Sequence, residues 1–194
     1  MEMYAKTILV FLHFLLAALA LAQVIRTDYL VLKNYTKPLG ETVVAAISET
    51  KRIACWSLAL LYLTGGLLVL YGMNTNPAYM SNEKLWVKFI CVGVLTLNGY
   101  LVHKLDKHVR VGSTLSEFPL SFALQMAVVG AISSSSWIFA CLLGIARAWN
   151  GKLPFVEVMT YYGATVVLAI CVSIGFTLLV RTRLTYPDKR FRHD

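Results

Sequence analysis

"KTILVFLHFLLAALALAQVI", Lys6 to Ile25, decides the fold. It is hydrocarbon nearly throughout, and it is as long as the roughly 18 to 20 residues a helix needs to cross a bilayer. Its end, "ALAQ", resembles a signal-peptide cleavage site. The basic n-region of a signal peptide is missing, with only Lys6 after Glu2, so the stretch reads as a first membrane helix. One polar group interrupts it. His13 is too deep and too short to reach the headgroups, so it is either a ligand, a proton carrier or one half of a helix–helix hydrogen bond.

Four further runs share this character: Ile53–Met73, Leu85–His103, Pro119–Ile145 and Phe155–Val180. Hydrophobic residues make up 58% of the 194, against 14% charged, a share above that of soluble domains. Backbone groups in hydrocarbon must bond within their own segment, which predicts helices. The expected fold is an all-α membrane protein, a single domain over residues 1–194, with five transmembrane helices in an antiparallel up-down bundle. The net charge is +8, but the cations sit in clusters between apolar runs. That pattern belongs to membrane topology and excludes a nucleic-acid-binding reading.

Orientation follows from Lys and Arg. Arg26, Lys33, Lys37, Lys51, Arg52, Lys104, Lys107, Arg110, Arg181, Arg183, Lys189, Arg190 and Arg192 fall on one side. Lys6, Lys84, Lys88, Arg147 and Lys152 fall on the other. The larger set is expected in the cytoplasm, which puts the N-terminus outside and the C-terminus inside a bacterial inner membrane. Tyr4, Tyr79, Trp86 and Trp149 then form an outer aromatic belt. The connection Arg26–Lys51 has room for an extension of the first helix and a second short helix, and "ETVVAAISETKR", Glu41–Arg52, is expected to run into helix 2. Its "NYT" sequon faces the cytoplasm on this topology.

Cys55, Cys91, Cys141 and Cys171 lie on separate segments without a C-x-x-C, and read as packing residues. No phosphate loop, H-E-x-x-H, dinucleotide fingerprint or acidic metal cluster is present. The candidate site therefore rests on intramembrane polar groups. At the helical rise His13 lies about 9 Å, Lys88 about 5 Å, Met159 about 6 Å and Glu157 about 3 Å below the outer ends of their helices. Lys88 is expected to snorkel, to pair with Glu157 or to meet an anionic ligand. His103 lies about 18 Å deeper than His13, so the two cannot share one haem. With His108 it belongs to "HKLDKH", which reads as a solvated inner loop. Met159 is the candidate second ligand at the level of His13. Asn98 requires a hydrogen-bond partner. The patch Ser133–Ser136 either lines a polar cavity or bonds its own helix carbonyls. Gly65, Gly66, Gly72, Gly93, Gly99, Gly130 and Gly163 are expected to let helices approach closely.

Three stretches together, "FLHFLLAALALAQVIRTDYLV", "ETKRIACWSLALLYLTGGLLVLYG" and "LWVKFICVGVLTLNGYLVHKL", resemble a superfamily of small bacterial membrane proteins. It includes the HemJ-type protoporphyrinogen oxidases, the CopD-like copper-resistance proteins and allied integral membrane families. The residues that carry the resemblance are His13, Arg52, Gly65 and the pair Trp86/Lys88, within residues 6–105. It implies that His13 matches a haem-ligating histidine and Lys88 a helix 3 lysine. The chain departs from the HemJ type in having "FLLAALALAQ" where that type has a tryptophan and glycines. It has Asn98–Gly99 where that type has an aromatic–histidine pair, so the allied families are the better match.

The sequence thus carries two expectations. One is a haem b or porphyrin site in the outer half, with His13 as metal ligand and Lys88 and Met159 beside it, serving a redox or haem-linked role. The other is a non-enzymatic membrane subunit or small transporter with no cofactor, its polar groups lining a path or an interface with lipid, a second copy or a partner subunit.

Overall fold

The computed structural model describes residues 2–185. Lys189, Arg190 and Arg192, which enter the orientation count, lie outside them. The described chain is helical: α1 Glu2–Lys33, α2 Glu41–Thr75, α3 Glu83–Leu105, α4 Leu120–Ile145 and α5 Phe155–Thr185. All five are long and apolar enough to cross a membrane, the character of a multi-pass membrane protein.

Four of the helices outrun their apolar segments. α1 continues from Ile25 to Lys33, and α2 begins at Glu41, twelve residues before Ile53. Nothing in either extension breaks a helix, and polar residues tolerate one. The chain turns at Asn34–Thr36 and then runs extended through Pro38 to Gly40, the residue before α2. Pro119 precedes α4 and Pro154 precedes α5, positions where proline's missing N–H removes no helix bond. The side chain of Glu83 accepts the N–H of Phe155, the first residue of α5, and so ties the start of α3 to the start of α5.

Packing is strongest between α1 and α2, α3 and α4, and α4 and α5, with α1 also against α4. Val87, Cys91, Phe139, Leu143, Val158 and Tyr162 form a core joining α3, α4 and α5. Ala20, Val24, Leu61, Leu95 and Trp137 join α1 to α4 through one residue or two from each helix. Most large apolar side chains instead face outward, among them Phe11, Leu63, Leu97, Val167 and Val172. A soluble protein does not tolerate so much apolar surface, and lipid is the solvent that suits it.

A third cluster, Leu39, Val43, Val109 and Leu115, lies under the connections. There the α1–α2 and α3–α4 connections are stitched together. The N–H of Leu39 donates to Ser113 O at 2.9 Å, that of Gly112 to Leu39 O at 2.8 Å and that of Ser116 to Tyr35 O at 3.1 Å. Gly112 has a φ of 85°, which glycine alone adopts freely. Lys51 pairs with Asp106 beside the stitch. "HKLDKH" is therefore more than a solvated loop, because its carboxylate is mostly buried against α2. His103 and Lys104 are the last turn of α3.

The glycine expectation holds at one of the seven positions, Gly65, where a Cβ would lie 3.3 Å from His13 of α1; a Cβ on Gly72 would lie 2.4 Å from the Tyr79 ring, which belongs to the turn after α2 itself. Gly66, Gly93, Gly99, Gly130 and Gly163 have nothing within 4 Å of that position, so they do not mark close helix approach.

Candidate functional site

The site lies where α1 and α3 begin and α4 ends. Lys6, Val10 and His13 are spaced i, i+4, i+7 and share one stripe of α1. Lys84 and Lys88, at i and i+4, share a stripe of α3. Between these helices and the turn after α4 is a cavity of about 460 Å³, bounded by Lys6, Val10, Lys84, Lys88, Arg147, Asn82 and Asn150 among others. Among the described residues, four cationic side chains border it and no carboxylate does.

The nearby acids are engaged elsewhere. Glu83 caps α5. Glu157 accepts a hydrogen bond from the Tyr161 hydroxyl at 2.8 Å and forms no ion pair with Lys88. Of the cations, Lys84 is 4% exposed. Its ammonium donates to the carbonyl of Ala146 at 2.7 Å, just past the C-terminus of α4, where the helix dipole favours positive charge. Lys6 lies over the Tyr71 ring at 5.1 Å. Lys88 is half-buried and has no hydrogen bond or ion pair among the described residues. It does not reach past Lys84 to a carboxylate, so the like charges at i and i+4 stand uncompensated. Asn82 adds a buried Oδ1 without a donor. Burial pushes the Tyr79 phenol up, so this wall of the cavity stays neutral.

His13 lies one turn beyond Val10, at the α1–α2 seam. Its Nδ1 is 2.7 Å from the Thr64 hydroxyl. The Thr64 hydroxyl also lies 2.8 Å from the carbonyl of Leu60. Two arrangements satisfy the contact: the hydroxyl donates to Nδ1, or Nδ1–H donates to the hydroxyl while the hydroxyl bonds Leu60 O, and the second leaves the lone pair on Nε2. Gly65 makes room for the ring. The second is the arrangement in which a neighbouring side chain orients an imidazole for metal ligation. It also satisfies a helix–helix hydrogen bond with no ligand at all. Lys88 is close enough to His13 to sense its charge.

Met159 is not brought to His13. It packs on the α3–α4–α5 core with Val158 and Tyr162, while His13 belongs to the α1–α2 seam. Asn98 finds its partner, donating to Val129 O at 3.0 Å. The serine patch divides. Ser135 bonds the Ala131 carbonyl at 2.6 Å, Ser136 meets the Tyr162 hydroxyl at 2.8 Å, and Ser134 bonds Asp28. These serines point to different helices and do not line one cavity.

Two residues of interest are easily passed over in the sequence. Lys84 reads there only as a topology charge, yet it is the most buried cation of the cavity. Asp28 reads as part of a cytoplasmic connection with room for an extension of α1, yet it faces α4. Nothing in the sequence marks α4 as its neighbour.

Among the described residues no group of three or more His, Cys, Asp or Glu could hold a metal ion. No protein-family model, curated protein or solved structure matches the chain.

Proposed function

We propose that this is a multi-pass protein of a bacterial cytoplasmic membrane, N-terminus outside, that binds an anionic ligand in the cavity bordered by Lys6, Lys84, Lys88 and Arg147. The observation that carries the reading is Lys88, half-buried beside Lys84 and, among the described residues, in a wall without carboxylates. Holding two ammonium groups together in a low-dielectric setting is unfavourable unless an anion joins them. The buried Oδ1 of Asn82 favours a ligand that also offers a donor, such as a phosphate ester with an adjacent hydroxyl or amine. In this reading the protein is a binding subunit or small transporter, and the pocket faces the outer membrane–water interface.

Thermal unfolding of the detergent-solubilised protein tests it, with inorganic phosphate against chloride at matched ionic strength. Phosphate is expected to raise the midpoint of wild type and to leave that of Lys88→Gln unmoved. Equal shifts in both proteins, or none in wild type, would overturn the assignment.

A second reading is favoured by one observation, the contact of His13 Nδ1 with the Thr64 hydroxyl, which orients the ring and, with the proton on Nδ1, leaves Nε2 to ligate. A haem or porphyrin ligated there would supply one-electron or ligand-exchange chemistry, with Lys88 and Lys84 as partners for its carboxylates. The donor set fits on one face only, since Met159 does not join His13 and the cavity does not border the imidazole. The test is the visible spectrum after expression with haem supplied. A Soret band lost or displaced in His13→Ala supports this reading, and its absence in wild type counts against it.

A further inference from the structure

We infer that Asp28 and Ser134 form a proton-binding site in the middle of the bundle. The Ser134 hydroxyl is hydrogen-bonded to Oδ2 of Asp28. Ser134 stands about 21 Å from the start of α4 and about 17 Å from its end, by the helical rise. The Asp28 carboxyl therefore reaches the central part of a membrane-spanning helix, although its own backbone lies in the last turns of α1.

Among the described residues no cation is paired with the Asp28 carboxylate. On α1 the neighbouring Arg26 turns to Glu49 of α2, 3.6 Å away, and to Gln23. Lys51 of α2 is held by Asp106. α4 carries no Asp, Glu, Lys, Arg or His from Leu120 to Ile145. Thr27, adjacent to Asp28, is bonded to Thr50 at 2.6 Å. An anionic carboxylate partly buried between α1 and α4 with one hydroxyl for company is costly, and a proton removes the charge.

The hydroxyl supplies the device. Ser134 Oγ lies within hydrogen-bond reach of both Asp28 and the Gly130 carbonyl, the latter at 3.1 Å, and it owns one hydrogen. With Asp28 neutral, its O–H donates to Ser134 Oγ, and the serine hydrogen goes to Gly130 O. When the proton leaves to water, the serine O–H rotates and donates to the carboxylate. Gly130 O then keeps only its helix bond. One rotation of one hydroxyl thus serves both states, with no backbone movement.

Infrared difference spectroscopy of the full chain in ether-lipid nanodiscs, which lack ester carbonyls, reads the site directly. Between acid and alkaline pH, wild type is expected to show a protonated-carboxyl C=O band that disappears on titration. Asp28→Asn is expected to lose that band while keeping its helical circular dichroism. Ser134→Ala is expected to keep the band but to move its frequency and its midpoint, because the hydroxyl partner is gone. Persistence of the band in Asp28→Asn would overturn the assignment. If Asp28→Asn does not fold, a Ser134→Ala protein with an unaltered band and midpoint would overturn it equally. The outcome is independent of anion binding at the other site.

Discussion

The imidazole of His13 and the hydroxyl of Thr64 meet at 2.7 Å across the α1–α2 seam, and the contact fixes the orientation of the ring. Thr64→Val keeps the side chain's shape and removes the hydrogen-bond partner. If a haem is ligated at His13, its affinity is expected to fall by about 10- to 100-fold in this variant. Titration of haem into the purified protein, followed in the Soret region, measures it. A His13→Ala baseline separates ligation from nonspecific uptake.

Lys84 holds the end of α4 through the Ala146 carbonyl. Lys84→Met retains the apolar stem and abolishes the charge-assisted bond, which is worth about 1.5–3 kcal/mol. Relief of repulsion with Lys88 offsets part of this loss, so a net loss of about 1–2 kcal/mol is expected. Reversible denaturant unfolding in mixed micelles reads it. A variant as stable as wild type would show that the bond contributes nothing.

Asn98 is 3% exposed and half-satisfied. Its amide donates to Val129 O, and its Oδ1 has no donor. Asn98→Leu removes the unpaired oxygen and fills similar space, so its stability should stay within about 1 kcal/mol of wild type. Asn98→Ala adds a void and should be the less stable of the two by about 1–2 kcal/mol. The order of the two midpoints is the measurement.

Gly72 gives the Tyr79 ring a flat bed. Gly72→Ala would place a methyl 2.4 Å from that ring, and the ring must leave. Burial disfavours the phenolate of Tyr79 and so pushes its titration above the ordinary value of 10.0. In Gly72→Ala that phenol becomes solvated and should titrate lower, toward the ordinary value. Alkaline ultraviolet difference spectra of wild type, Gly72→Ala and Tyr79→Phe isolate this one of the 10 tyrosines.

The helices were legible because hydrocarbon length and backbone satisfaction leave a chain few choices. Their ends were less so. Hydropathy stops at Ile25 and resumes at Ile53, but helical hydrogen bonding does not depend on hydropathy, and α1 and α2 run on to Lys33 and back to Glu41. The extensions themselves were expected, but which helix Asp28 faces was not legible, because nothing in the sequence marks α4 as its neighbour. His13, Lys88 and Asn98 stood out as polar groups in apolar surroundings. The partners of His13 and Asn98, Thr64 and the Val129 carbonyl, were not legible, because a threonine or a carbonyl in a helix carries no mark of what lies across the seam. The cation cluster was in view as the minority side of a topology count. A count of charges by side cannot show that Lys6, Lys84, Lys88 and Arg147 converge on one cavity.

The lacing of Leu39 to Gly112 and Ser113 makes the two faces of the molecule mechanically unlike. Where those connections are stitched, the helices are clamped at a common base, and a protease should find little slack between Asn34 and Leu39 or between Val109 and Glu117. Among the described residues the opposite face has no main-chain bond between its two connections, and only the side chains of Glu83 and Lys84 tie it, to the Phe155 N–H and the Ala146 carbonyl. The turn from Asn150 to Pro154, with Gly151 at a φ of 64°, is the expected first nick in a limited digest of the purified protein. Any breathing of the bundle then pivots on the clamped base and opens the cationic end first.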